Sequence, residues 1–300
     1  MALTPQGAPE PAIGLPGGPP LPQGNRGSRI LAPLRGEGAR GVWIAVISTV
    51  ALFGVVIVLV LNSSGWPLVK EAFFDPEIFA ESFPKILEKF RRNVYIFMVA
   101  EVLVLIVAMI VAVVRSLTGP VFFPLRVLAA AYTDLFRAVP TILVIALLGF
   151  GAPALQIQGV PDSDRFWAIV ALVLVYSAYV AEVYRAGIAS IHPSQVASAR
   201  ALGLSRRKTL RFVVLPQAVR RVIPPLLNDF IGLQKDSALV VFLGYTEALR
   251  QAQIIQSENF DFTPYVALAL IYIVITIPQA RFVDWLVAKD QRKRQTGGTL

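Results

Sequence analysis

The chain has 300 residues, 55% hydrophobic and 16% charged, with a mean hydropathy of +0.63; soluble domains carry about a quarter charged residues, so the composition is that of a membrane protein. The absence of cysteine excludes a disulfide framework, a Cys-built zinc site and a thiol nucleophile, and a single histidine, His192, argues against a metal site altogether. A formal charge of +9 would suit nucleic acid, but in a membrane chain Lys and Arg gathered on cytoplasmic loops account for it first.

Residues 1–40 hold eight Pro and eight Gly. Such a segment buries too little apolar surface to offset its ordering entropy, so it reads as a disordered cytoplasmic tail. No apolar stretch follows the initiating Met directly, so it is not a signal peptide. A membrane helix needs roughly 20 mostly apolar residues. Val42–Leu61 qualifies without a charge, and 41–62 is read as the first membrane helix. Segment 63–91 then lies outside the membrane, with its stretch from 67 onward a candidate amphipathic surface helix. Val94–Val114 is a second span, holding Glu101. A third, about 122–152, is interrupted by Asp134, Arg137 and Pro140. Phe166–Val183 is a fourth. A fifth, about 222–245, carries Pro224, Pro225, Asp229, Lys235 and Asp236. Thr263–Ala288 is a sixth. The third and fifth are candidates for bent or broken helices. The fold class is therefore all-α integral membrane with six helices.

Loop charge sets orientation. The tail carries four Arg against two Glu, 186–221 carries seven bases and no acid, and 289–300 is basic, whereas 62–91 has five acids and four bases. With six spans the three basic segments fall on one side, which makes both termini cytoplasmic.

The loop 190–218 has the local physics of helix, break, helix. Pro193 and Ser194 suit a helix start, and Gln195–Leu202 is Ala-rich. Gly203 suits the position after a helix end, and Ser205 is a candidate N-cap for a helix over Arg206–Val213. Pro216 ends that helix or redirects the chain. A short helix across the cytoplasmic face is a lever that a soluble partner can push.

The Gly203 and Leu215-Pro216 spacing resembles the "EAA" loop of the permease subunits of binding-protein-dependent ABC importers. More of the chain, over 92–288, resembles their polar amino acid branch. Asp134-Leu-Phe-Arg-Ala-Val-Pro140 is similar to "ELFRGTP", and Tyr179-Val-Ala-Glu-Val-Tyr-Arg-Ala-Gly187 to "YxAEIxRGG". Leu215-Pro-Gln-Ala218, Pro224-Pro225 and Gln234-Lys-Asp-Ser-Ala-Leu239 resemble "LPQA", "PP" and "LKDTSL". The resemblance implies that Ser194, Gln195, Val196, Ala197, Ser198, Ala199, Arg200, Ala201, Leu202, Gly203 and Leu204, with Pro216, meet an ABC ATPase dimer that binds ATP and Mg. It also implies a second permease subunit, an extracytoplasmic solute-binding protein and a plasma (inner) membrane location. Two features depart from the family pattern. Ala197 stands where the family has Glu, and Val42–Leu61 adds a span to the usual five-helix core.

Charges inside spans are costly and mark a pathway or a structural pair. Glu182 and Arg185 can meet at i,i+3, as can Asp134 and Arg137. Lys235 and Asp236 are adjacent, so on a helix they point about 100° apart and cannot neutralise each other. The candidate substrate path is Lys235, Asp236, Ser237, Glu182 and Arg137. Both signs of charge and a hydroxyl suit an amino acid, and the same set suits a buried network. No G-x-x-x-x-G-K-[ST], G-x-S-x-G or H-E-x-x-H occurs, so the chain is read as no enzyme, without cofactor of its own. The reading is an ATP-driven importer of polar amino acids, with a glutamate-type substrate favoured by resemblance. The rival is an ion-coupled transporter or channel that works without an ATPase. A basic helix–turn–helix so close to membrane spans does not read as a DNA motif.

Overall fold

A computed structural model describes residues 38–296, and among these residues every regular element is helical. The expectation of a disordered tail falls largely outside the described residues. The chain divides into two units, Met1–Asn62 and Ser63–Leu300. In the first, α1 (Gly38–Leu61) is an uninterrupted apolar helix of 24 residues.

The second unit opens with α2 (Trp66–Phe73), followed by the 41-residue α3 (Pro76–Ser116). The α3 start is set by Asp75, whose carboxylate accepts from the N–H groups of Glu77 (2.8 Å) and Ile78 (2.9 Å). Pro76 occupies the first helical position, where no N–H is needed. At about 1.5 Å per residue, α3 is roughly twice as long as the hydrocarbon layer is thick. Its charged first half, including Glu77, Glu81, Lys85, Glu88 and Arg91, therefore extends past the span, and the helix runs unbroken through residues 91 and 92.

Helices α4 (Phe123–Ala138) and α5 (Thr141–Ala154) are bent by 105° at their junction. The cause is local. Pro140 cannot donate to the helix, and Val139 before it is driven to an extended conformation, φ −90° and ψ 130°. The third predicted span is thus a bent pair.

The central helix is α6 (Asp164–Ala189), which packs against α3, α4, α5 and a later helix, α9. Its contact with α3 is built from small residues: Ala100, Ala108, Ala168, Ala171, Ala178 and Ala181 are all buried. In lipid the hydrophobic effect does not drive helices together, and small residues allow the close backbone approach that does.

The chain continues through α7 (Pro193–Ala201), α8 (Arg206–Thr209), a π turn (Leu210–Val214) and α9 (Leu215–Asp236). A 3₁₀ segment (Ser237–Leu243), α10 (Ala248–Asn259) and α11 (Thr263–Thr296) complete it. A second core cluster joins the first half of α3 to α10 and α11 through Ile86, Phe90, Ile255, Leu268 and Ile271.

Among the described residues, four helical stretches are long and apolar enough to cross a membrane: Gly41–Leu61, Trp66–Ser116, Asp164–Ala189 and Thr263–Lys289. Counting the α4–α5 pair makes five. The expected fifth span, at 222–245, is not among them: its helix is long enough but too charged. There α9 carries Arg220, Arg221, Asp229, Lys235 and Asp236 and passes into the 3₁₀ segment.

Candidate coupling segment and charged residues of the bundle

Helix α7 is closed at both ends by its own sequence. At its start His192 accepts the Ser194 N–H on Nδ1 (3.2 Å), and Pro193 follows in the first turn. At its end Gly203 adopts φ +82°, a conformation that costs a side-chain-bearing residue energy. The Gly203 N–H donates to the Arg200 carbonyl (3.0 Å) and the Leu204 N–H to the Ala199 carbonyl (3.2 Å). These two bonds form a Schellman closure and satisfy carbonyls that would otherwise lack partners. Arg200 adds a bond to the Leu204 carbonyl (3.1 Å). Ser205 then caps α8, its hydroxyl accepting from the Lys208 N–H (3.4 Å).

Pro216 does not end the helical path. The turn Leu210–Val214 widens to π geometry, with the Leu215 N–H reaching back to the Leu210 carbonyl, and Pro216 enters the first turn of α9. Widening one turn is how a helix makes room for a proline. The predicted helix over Arg206–Val213 is therefore α8 plus most of this turn.

Most of the loop's predicted residues are open to solvent. Ser194, Gln195, Ala197, Ser198, Arg200, Ala201, Leu202, Gly203 and Pro216 are exposed, Leu202 at 83%. Val196 and Leu204 are half-buried, and Ala199 is buried. Val196 packs with Ile191, Val214 and Ala218, which anchors α7 to the start of α9. Two further contacts tie the ends of α6 and α9 together. Arg221 donates to the Ser190 carbonyl. Gly187 lies so close to Val222 that a Cβ there would overlap the valine side chain. Val196 thus joins α7 to α9, and the two contacts join α9 to the end of α6.

The charged residues fall into separate groups. Glu182 Oε2 accepts from Arg115 Nη1 of α3 (2.8 Å), and Arg185 Nε donates to both carboxylate oxygens (3.1 and 3.0 Å). Arg115 also donates to Thr133 Oγ1 of α4 (3.1 Å), so the cluster braces α3, α4 and α6. Asp134 and Arg137 form no ion pair. Arg137 instead lies over the Tyr179 ring (5.9 Å), and its carbonyl accepts from the Tyr179 hydroxyl (3.3 Å). Lys235 and Asp236 diverge as their spacing requires. Lys235 is exposed, whereas Asp236 Oδ2 accepts from the Tyr176 hydroxyl of α6 (2.9 Å). Ser237 is fully buried, donating to the Gln234 carbonyl (2.7 Å).

Other residues join these groups without local sequence signals. Asp229 is close enough to act electrostatically on both Tyr176 and Glu101, and its Oδ2 is buried without a hydrogen-bond partner. Asn93 and Glu247 tie α3 to the start of α10. A tyrosine flanked by Asp236 and Asp229, with Glu101 beyond, can hold an ammonium group.

The family model described as "Binding-protein-dependent transport system inner membrane component" matches residues 105–290, which include the whole α7–α9 segment. The chain belongs to this family. Among its relatives, the probable glutamine ABC transporter permease protein GlnM of Bacillus subtilis (strain 168) is 36% identical over 168 residues, 55% of this chain and 76% of that one. The arginine transport system permease protein ArtQ of the same organism is 34% identical over 196 residues, 65% of this chain and 87% of its own length. A crystal structure of an amino acid ABC transporter with histidines superposes with a TM-score of 0.65 at 28% identity, covering 72% of this chain and 98% of that chain.

Proposed function

We propose that this family member is the permease subunit of an ABC importer for a polar amino acid, working as a dimer with a second permease copy or homologue. An ABC ATPase dimer engages α7, binds ATP and Mg, and supplies the drive. A solute-binding protein delivers the substrate from the other side. The basic tail, the 186–221 loop and the basic C-terminal segment all lie on the cytoplasmic side in this reading, which needs α9 with its 3₁₀ segment to cross as a sixth span despite its charges.

One observation carries this reading. Helix α7 is short, capped at both ends, exposed, and anchored by Val196 to the start of α9, which the Gly187–Val222 and Arg221–Ser190 contacts fasten in turn to the end of α6. ATPase closure moves α7, and α6 and α9 follow, opening the path alternately to the two sides. Ala197 removes the family's carboxylate from the exposed face, which leaves shape and the neighbouring Ser198 and Arg200 to make the contact.

The substrate class follows from charge. Asp236 and Asp229 lie about Tyr176, with Glu101 beyond Asp229, and this excess of acid supports a neutral or cationic polar amino acid ahead of glutamate, whose second carboxylate it would oppose. The relatives named for glutamine and arginine lie on the same side of that ranking. Asp236 is the path residue with most support. Glu182 is engaged by two guanidinium groups and Ser237 by its own helix, so both serve better as braces.

The test is reconstitution in proteoliposomes with the partner ATPase and binding protein. Uptake of glutamine or arginine should require ATP, and Gly203→Val should lower uptake far more than ATP hydrolysis. Uptake by the permease alone, driven by an ion gradient, would reject the proposal in favour of a stand-alone transporter.

A further inference from the structure

Two cavities meet at the end of the bundle where α6 begins. One, of about 540 Å³, is lined by Glu88, Arg91, Arg92, Tyr95, Arg165 and Tyr245. The other, of about 550 Å³, is apolar. Val99 and Leu103 of α3 and Phe166, Ile169, Val170 and Val173 of α6 are among its walls. Tyr95 and Arg165 line both, so the basic pocket adjoins the apolar groove.

We propose that this combined site holds one anionic phospholipid, its phosphate on Arg91, Arg92 and Arg165 and an acyl chain in the groove between α3 and α6.

The position fits. Tyr95, Val99 and Leu103 recur every four residues on α3, on a different face from the buried Ile96, Ala100 and Val104. The groove thus runs along the outer side of the α3–α6 contact. Tyr95 and Phe166 line the groove, and Phe166 packs edge-on against Trp167 (5.2 Å), whose Nε1 donates to the Pro161 carbonyl (2.9 Å). Aromatic residues of this kind sit at the headgroup layer. A lipid seated there puts its phosphate level with the arginines.

The charge fits too. Three guanidinium groups face one carboxylate, leaving two positive charges, and Glu88 is already held by Arg91 (3.7 Å). Two of the arginines are fixed in advance. Arg92 donates to the Thr246 carbonyl (2.6 Å) and lies over Tyr245 (5.7 Å), and Arg165 lies over Tyr95 (5.4 Å). A phosphodiester meets an oriented basic surface, and a choline headgroup meets repulsion. A small soluble anion would use the arginines and leave the groove empty, so the groove selects the lipid.

The experiment uses the full chain in nanodiscs of equal phosphatidylglycerol and phosphatidylcholine, read by native mass spectrometry. Phosphatidylglycerol should be retained preferentially. Arg165→Gln should lower that retention about fivefold, the size expected for one basic group at a lipid surface. Val170→Trp, which fills the groove and leaves every charge in place, should lower it as well. Equal retention of both lipids, or retention unchanged in either variant, would overturn the proposal. Thermal shift of the wild-type chain gives a second readout that needs no variant. Phosphatidylglycerol should protect more than glycerol phosphate or inorganic phosphate, and equal protection by the free phosphates would leave an anion site only. A photo-crosslinker at Val170 should capture lipid; capture of residues 41–61 or of a second copy would mean that protein fills the groove.

Discussion

Asn93 of α3 and Glu247 at the head of α10 meet at 2.7 Å, 154 residues apart in sequence and both buried. The asparagine side chain also accepts the Ala248 N–H (3.1 Å), while the glutamate accepts those of Leu249 (2.8 Å) and Arg250 (2.9 Å). One side-chain pair therefore caps α10 and fastens it to α3. Asn93→Ala removes a donor and an acceptor from a closed network, and a buried polar group left unpartnered costs about 1–3 kcal/mol. The variant should unfold at a clearly lower temperature in detergent, with α10 the first element to lose hydrogen-exchange protection.

Burial pushes the Glu247 carboxyl above its ordinary value near 4.5, although three backbone N–H groups and Asn93 favour the charged form. A raised value means that the folded chain holds the proton more tightly than the unfolded chain. The stability from this group is thus full below the ordinary value and is lost as pH rises through the raised one. Unfolding temperature measured against pH should show that decline in the wild type. Glu247→Gln, which stays neutral, should flatten it.

Gly203 has open space around its α-carbon, so a substitution there acts through backbone strain and not through a clash. At φ +82° a side chain costs about 1–2 kcal/mol, least for Asn. Gly203→Asn should keep most ATP-driven uptake and Gly203→Val should lose it, a contrast that side-chain size alone does not produce.

Gly187 presents the opposite case. Its φ is helical, and a Cβ would overlap Val222. Gly187→Ala should cost about 1–3 kcal/mol through overpacking. Val222→Ala should restore much of that loss in the double variant, and a double-mutant cycle on unfolding temperature measures the coupling.

The cysteine-free sequence gives a clean background for topology. Single cysteines placed at Ser198 and Leu202, both exposed, should react with an impermeant maleimide from the cytoplasmic side only, and one at Glu88 from the other side only.

What the sequence made legible was local. The bend at Pro140, the closure at Gly203 and the cap at Ser205 each depend on residue types within a few positions, and each is found where the residues require it. The divergence of Lys235 and Asp236 follows from helical geometry alone. Pairings across the bundle had no such signal. Glu182 has an i,i+3 partner in Arg185, yet its reach to Arg115 spans 67 residues. Asp134 and Arg137 have the same i,i+3 spacing, but an aromatic face at Tyr179 takes the guanidinium instead. Pro216 reads as a helix end or a redirection of the chain because a proline costs an α-helix a hydrogen bond, and a widened turn removes that conflict.

That widened turn has a mechanical consequence. A π turn holds one residue more than the α-helical repeat needs, so residues before it are out of phase by about 100° with those after it. The face that Arg207 shows to the solvent is set independently of the stripe that Val222 turns toward Gly187. Shortening Leu210–Val214 by one residue would restore phase and swing one stripe away from its target, whichever end stayed seated. The spare residue acts as a keyway, and it fixes the angle at which the short helix and the long one are assembled.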